Sequence, residues 1–384
     1  MTAEAGARDG AVDPPLRVST LELFFDLVFV FTITQLTSVV AHDGVTGTGV
    51  LRAALVFGVL WWMYGAYAWL TNTRTPSRTP ERVLLLLGMA GFLVIGMAIP
   101  DAFSRRVDGV ALGLGYLLVV AVHGGLYVRV NRNILRVVPA NLGAAALVTL
   151  AGGLGGTAAY FCWAAALALV VLWPRVVNPP GRFSIQPAHF VERHGAVFII
   201  ALGESVADIG LGANGEPLTA SLIVSAVLGL GLAAMLWWTY FGVGDDERAE
   251  EAFNRTDAAA RPQLALDAYF YAYVPMLLGI VALAAGIKLA MAHPGHTMPY
   301  PACLALAGGT ALFLTGDIMF RRSLGIGPLR FRAAAGLCCL ATWIVGVAVS
   351  TSVQIALLAL LLAGALAAES RMRAAAAEPD SLDA

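Results

Sequence analysis

The chain has 384 residues, of which 59% are hydrophobic and only 13% charged, with a formal net charge of −1. A soluble domain carries about 25% charged residues, so this composition excludes an ordinary water-soluble globule and points to a chain solvated mostly by lipid. Lys288 is the single lysine among 24 basic residues; no dense basic patch exists, and nucleic-acid binding is excluded.

The first 18 residues are polar and contain proline, without the tripartite pattern of a cleaved signal, so the first apolar segment is expected to remain as an anchor. Apolar runs of about 20 residues predict twelve spans, at 20–41, 50–71, 82–100, 109–129, 137–155, 158–177, 191–210, 219–242, 265–291, 300–320, 331–350 and 352–369. A Gly-rich turn at Gly152–Gly156 separates the fifth from the sixth, and a Ser/Thr turn at Ser350–Ser352 separates the last two. With the N-terminus inside, 20 of the 24 basic residues fall in inside segments, the asymmetry that the positive-inside rule describes. The fold class expected is an all-α integral membrane protein of about 12 transmembrane helices with both termini cytoplasmic. The longest loop, GDDERAEEAFNRTDAAARP, has acids at its start and basic residues after them, which predicts a short interfacial helix.

The two halves echo one another. Trp61-Trp62-Met63-Tyr64 in segment two answers Trp237-Trp238-Thr239-Tyr240 in segment eight, and Glu22 answers Glu192. An even number of spans per half inserts both halves in the same sense, with a site expected between them. The organisation read from this is a tail over 1–19, a first six-helix repeat over 20–177, a linker over 178–190, a second repeat over 191–369 and a tail over 370–384.

Acids within spans are the candidate site. A carboxylate in lipid costs several kcal/mol, about 2.5–3.5 on insertion scales, and so must face protein, a proton or a solute. Glu22 and Asp26 in LELFFDLVFVFTITQLT are four residues apart and share a helix face, with Thr32, Thr34 and Gln35 further along. In HFVERHGAVFIIALGES, Glu192 and Arg193 open the segment as a charge-pair region; Arg193 is a candidate partner for Glu22 and Asp26. Glu204 follows about 18 Å deeper than Glu192, with Asp208 one turn on. Gly203 beside it would allow close helix approach or backbone access to a solute. His123 in segment four is a candidate proton relay, and Asp267 and Asp317 are expected to pair with loop arginines such as Arg261 and Arg321. Pro275 is expected to kink or break segment nine. His189 and His194 flank Glu192 and Arg193 without metal-ligand spacing; the four cysteines lie in apolar segments without such spacing either. No metal and no cofactor is expected.

Taken together, LELFFDLVFVFTITQLT and HFVERHGAVFIIALGES resemble the bacterial low temperature requirement A family. The resemblance implies a polytopic inner-membrane protein and carries the motif positions Glu22, Phe24, Phe25, Asp26, Glu192, Arg193, Gly203 and Glu204. A looser likeness is to the FSD-motif potassium channels, but here Phe25 stands for the serine of Phe-Ser-Asp, and Ala196 occupies the second repeat's aspartate position. The leading expectation is a transporter-like protein whose midplane acids, Asp26 and Glu204, couple protons or cations to a small solute or ion. A membrane-embedded enzyme, a cation channel and a non-catalytic membrane partner are the alternatives. The expected partners are the bilayer and that solute or ion, with self-association left open.

Overall fold

A computed structural model describes residues 17–42, 45–74, 76–177 and 183–377. The expected tail up to residue 16, the first five residues of the 178–190 linker and the last seven residues lie outside the described residues. The described residues form no strand. The first half contains α1 (Thr20–Ala41), α2 (Gly47–Thr73), α3 (Thr79–Ala98), α4 (Arg106–Tyr127), α5 (Val138–Leu154) and α6 (Gly156–Val177). The second contains α7 (Pro187–Gly212), α8 (Ala220–Trp237), α9 (Asp245–Arg255), α10 (Arg261–Ala265), α11 (Tyr273–Ala292), α12 (Tyr300–Ser323), α13 (Arg330–Ala341), α14 (Trp343–Ala348) and α15 (Thr351–Ala377). Among the described residues, eleven helical stretches are long and apolar enough to cross a membrane, and α5, at 17 residues, is a shorter twelfth. All twelve expected spans therefore have a helix, and α9 is the expected short loop helix.

Local chemistry sets the starts and stops. Ser19 Oγ accepts from the Glu22 amide while the Glu22 carboxylate accepts from the Ser19 amide at 2.9 Å, a reciprocal cap on α1. Thr46 and Thr219 cap α2 and α8 through their hydroxyls. The break between α5 and α6 falls on Gly155, at φ +65°, where glycine costs nothing; Gly152 and Gly153 stay within α5. The regular α-helix is broken just ahead of Pro275. The chain widens into a π-turn over Leu266–Tyr271 just ahead of α11, so the proline sits in the new helix's first turn. The carbonyl of Phe270 is taken by the Trp61 indole N–H at 3.2 Å. α15 runs on to Ala377, past the expected end at 369, in keeping with its alanine-rich sequence.

Burial ranks the helices. In α2, 89% of the apolar window is inside the protein, against 22% in α6, so α2 is the central post and α6 faces lipid. α1, α7 and α11 pack on one another and on α2, bringing elements of both halves together. Their middle is filled by rings: Phe29 on Tyr64 at 4.4 Å, Trp61 stacked on Tyr273 at 5.8 Å and Phe198 stacked on Tyr240 at 4.8 Å between centroids. The two Trp-Trp-x-Tyr stretches differ in setting: Trp61 and Trp62 are buried, whereas Trp237 and Trp238 are exposed where α8 ends in a π-turn over Trp238–Gly242.

A buried ion network joins α9, α12, α13 and α15 at the end of the bundle where α1 begins, here the near end. Glu369 takes both terminal nitrogens of Arg321, at 2.6 and 3.1 Å, and Nε of Arg332 at 3.2 Å. Arg332 also donates to Asp317 at 2.5 Å, and both arginines contact Asp245, within 3.4 Å. Arg248 and Arg373 close its partly exposed rim. Asp317 is thus held chiefly by Arg332 rather than by Arg321, and Asp267 meets Arg175 at 3.6 Å rather than Arg261.

α11 and α12 touch through backbone. A Cβ on Gly309 would lie 2.6 Å from the Leu283 nitrogen and 2.8 Å from the Gly279 carbonyl, whereas one on Gly308 would meet nothing within 4 Å. Small residues at such crossings let membrane helices approach closely. Gly309→Val is therefore expected to lower the midpoint of thermal unfolding in detergent by several degrees, while Gly308→Val leaves it nearly unchanged. Equal midpoints for the two variants would contradict the close crossing.

Candidate functional site

The near ends of α1, α2 and α7 meet around one arginine. Arg193, on the second turn of α7, is completely buried. It donates to Glu22 at 2.9 Å and to Asp26 at 3.2 Å, and it contacts the Thr71 hydroxyl. Its guanidinium carbon lies 5.6 Å from the ring centroid of Phe25 and 5.8 Å from that of Tyr64, within the range at which aromatic faces attract cations. Glu22 and Asp26 share a face because they are four residues apart, and both are fully buried. The Tyr64 hydroxyl donates to Asp26 Oδ1 at 3.0 Å, while Asp26 Oδ2 has no hydrogen-bond partner.

A histidine and an asparagine complete the cluster. Asn72 accepts from the Gln186 amide at 2.9 Å and donates to the Gln186 carbonyl at 2.9 Å, which fixes the orientation of its side-chain amide. That amide then turns an N–H toward His189 Nδ1 at 3.3 Å. Nδ1 must accept, so the ring proton sits on Nε2, which lies 3.2 Å from Glu22. His189 brings no charge. Two carboxylates therefore face one guanidinium in a volume sealed from water, an arrangement one positive charge short of neutral.

The other acid of the expected pair is elsewhere. Glu204 lies eleven residues beyond Arg193 on α7, roughly 16 Å along the helix, and is half-buried. Asp26 and Glu204 thus belong to two clusters, not one. One turn after Glu204, buried Asp208 faces Lys288 of α11 at 3.7 Å, and Lys288 reaches Ser38 of α1 at 3.3 Å. This second cluster sits toward the far ends of α1, α7 and α11, with the ring-filled middle between. Gly203 faces open space, with nothing within 4 Å of a Cβ, so the expected close helix approach there does not occur. Glu192 is exposed and accepts from the Val18 amide at 3.3 Å. His123 is buried but touches no acid: its Nε2 meets the Ala66 carbonyl at 3.1 Å, and its ring packs on Tyr67 and Tyr127. Thr32 and Thr34 return their hydroxyls to carbonyls of their own helix.

Sequence reasoning missed Tyr64, Thr71, Asn72 and His189 as members of the near-end cluster. Tyr64 stood in the repeated Trp-Trp-x-Tyr stretch, but nothing in the sequence tied it to Asp26. Asn72 carries one readable signal, a lone amide at the end of an apolar run. No group of three or more His, Cys, Asp or Glu among the described residues is arranged to hold a metal.

Removing one side of a buried ion cluster leaves the other uncompensated, at about 3–5 kcal/mol. Arg193→Gln strands two carboxylates and is expected to cost about that much in detergent unfolding. Asp26→Asn removes the surplus acid and keeps an acceptor for Tyr64; its expected cost is below about 1 kcal/mol. Similar losses for the two variants would contradict the charge count.

The comparisons with known proteins agree with this architecture. The family model described as bacterial low temperature requirement A protein matches residues 17–367. An uncharacterized protein of Rhizobium meliloti (strain 1021) is 27% identical over 332 residues, covering 80% of this chain and 77% of that protein. The match takes in both ion clusters on α7 and every membrane helix but the last turns of α15. The chain is a polytopic membrane protein that belongs to the bacterial low temperature requirement A family.

Proposed function

We propose that this protein is a proton-coupled, transporter-like protein of the bacterial inner membrane, built as two six-helix halves with the near end in the cytoplasm. The observation that carries the reading is the surplus buried carboxylate beside Arg193. With His189 neutral, Glu22, Asp26 and Arg193 balance only when a proton or a cation is present, and Asp26 Oδ2 is the carboxylate oxygen of the cluster left without a partner. An ionisable group inside a membrane domain that lacks full compensation is the kind of group that proton relays use.

α7, with α11 and α1 beside it, carries the second acidic cluster. Glu204, Asp208 and Lys288 offer a far-end acceptor for the charge that the near end releases. The packed rings between the clusters favour a gated carrier over a continuously open cation pore, because passage requires the middle to rearrange. Both arginine networks lie at the near end, which supports its cytoplasmic placement.

The test is flux in liposomes loaded with a pH dye and a cation dye. Under an imposed proton gradient, wild-type protein is expected to move protons, and Asp26→Asn, eluting as the same monodisperse species, is expected to lose at least about tenfold of the rate. Unchanged flux in Asp26→Asn would remove this residue from the pathway and the reading with it.

A further inference from the structure

α8 and α15 lie side by side, and both run from the far end to the near end. Toward the far end they touch, with the Ser225 and Ser352 hydroxyls 2.7 Å apart. At the near end an open groove of about 580 Å³ lies between them, within the size range of small-molecule sites. α15 lines it with Ala363, Leu366, Ser370 and Arg373, which recur every three or four residues and so share one face. α8 and the π-turn that ends it line it with Met235 and Trp238. The Trp238 indole is half-exposed and lies against Gly242, where a Cβ would come within 2.6 Å of the ring. Helix rise places the groove at the membrane surface. Trp238 is 18 residues beyond Ala220 and Arg373 is 22 beyond Thr351, roughly 27 and 33 Å along their helices, against a hydrocarbon core of about 30 Å. The ring therefore sits at the hydrocarbon edge and the guanidinium at headgroup level.

The groove's polar end is the rim of the network around Arg321 and Arg332. The ion pairs of that network join four arginines, Arg248, Arg321, Arg332 and Arg373, to three carboxylates, Asp245, Asp317 and Glu369. Glu369 alone serves three of the arginines. Within these pairs one positive charge is in surplus. Arg321 and Arg332 are closed off inside, whereas Arg373 keeps 28% of its side chain exposed and lines the groove. A free anion would meet the charge and leave the apolar length of the groove unfilled; a hydrocarbon would do the reverse. A zwitterionic headgroup brings its own cation and so answers the surplus less well. Lipids with anionic headgroups carry both parts at this depth, and basic pockets between membrane helices take such headgroups. We propose that the groove seats one anionic glycerophospholipid, with its phosphate against Arg373 and Ser370 and an acyl chain along Ala363, Leu366 and Met235 beside the Trp238 ring. The assignment stands apart from the proton-coupling reading, since none of its residues belongs to the Arg193 or Asp208 clusters.

Trp238 provides the readout. The full chain is reconstituted in phosphatidylcholine bilayers holding a rising share of brominated lipid, either phosphatidylglycerol or phosphatidylcholine with bromines on the same acyl carbons; bromine quenches tryptophan fluorescence at contact. In wild type and in every variant, the difference that Trp238→Phe makes isolates this ring. Half-quenching is expected at about fivefold lower share of the anionic probe, the worth of one arginine at a membrane surface. Arg373→Gln, which leaves Glu369 held by Arg321 and Arg332, is expected to bring the two probes to parity while both still quench. Ala367→Phe, which fills the groove from α15, is expected to abolish the preference with Arg373 intact. Arg371→Gln, at an exposed neighbour outside the groove, is expected to keep it, as is millimolar inorganic phosphate at constant ionic strength. Equal quenching by the two probes in wild type, or a preference that survives in Arg373→Gln or Ala367→Phe, would overturn the assignment. So would loss of the preference in Arg371→Gln, which would mean diffuse surface charge, or its loss to inorganic phosphate, which would mean a free-anion site.

Discussion

Arg193 is the residue on which the first half's junction with α7 depends. A guanidinium shut away from water is tolerable only when its charge is met within the protein, and here α1 supplies both carboxylates and the Phe25 ring face while α2 supplies the Thr71 hydroxyl and the Tyr64 ring face. The pairing fixes the rotation of α1, because Glu22 and Asp26 must point inward together, and it fixes the depth of α7, because Arg193 must reach them. Glu22 does two jobs at once: it closes the cap on α1 and anchors α7. The start of the first span and the junction between the halves therefore answer to the same side chain.

Membrane helices have little hydrophobic drive to associate once they are in lipid, so the rest of the bundle depends on close contact and on buried charge. The second network gathers α9, α12, α13 and α15 around Arg321 and Arg332, with Glu369 shared between them. Backbone contact at Gly279 and Gly309 locks α11 to α12. The near end is thus held by two networks of charge, while the far end among α1, α7 and α11 has the longer Asp208–Lys288 contact and a lysine only part-buried.

The fold was legible because lipid imposes a length on every span and arginine marks one side of them; all twelve apolar runs have a helix, and the acidic start of α9 announced the loop helix. The site was legible in part. Glu22, Asp26 and Arg193 stood out because charge in an apolar run is expensive, and the partnership of Arg193 with the two acids followed from their shared depth. Depth also separates Asp26 from Glu204, and grouping them as one midplane core overlooked the rise of the helix between Arg193 and Glu204. Tyr64, Asn72 and His189 were not legible as partners, since a tyrosine or an amide in an apolar run costs little until something charged is set beside it, and the helix rotations that do so are not written locally. Glu369 stood at the edge of the last span, where a polar end was expected; the arginines that bury it come from helices more than thirty residues away in sequence.

If a proton balances Glu22, Asp26 and Arg193, Asp26 with its unpartnered Oδ2 is where it sits. Infrared difference spectroscopy of the purified protein in lipid reads this directly, because a protonated carboxyl has a carbonyl stretch distinct from that of a carboxylate. The account predicts such a band in wild type at neutral pH, its disappearance in Asp26→Asn and its survival in Glu204→Gln. A spectrum in which Asp26→Asn removes a carboxylate band instead would contradict it, and would mean that a bound cation or an altered His189 supplies the missing charge.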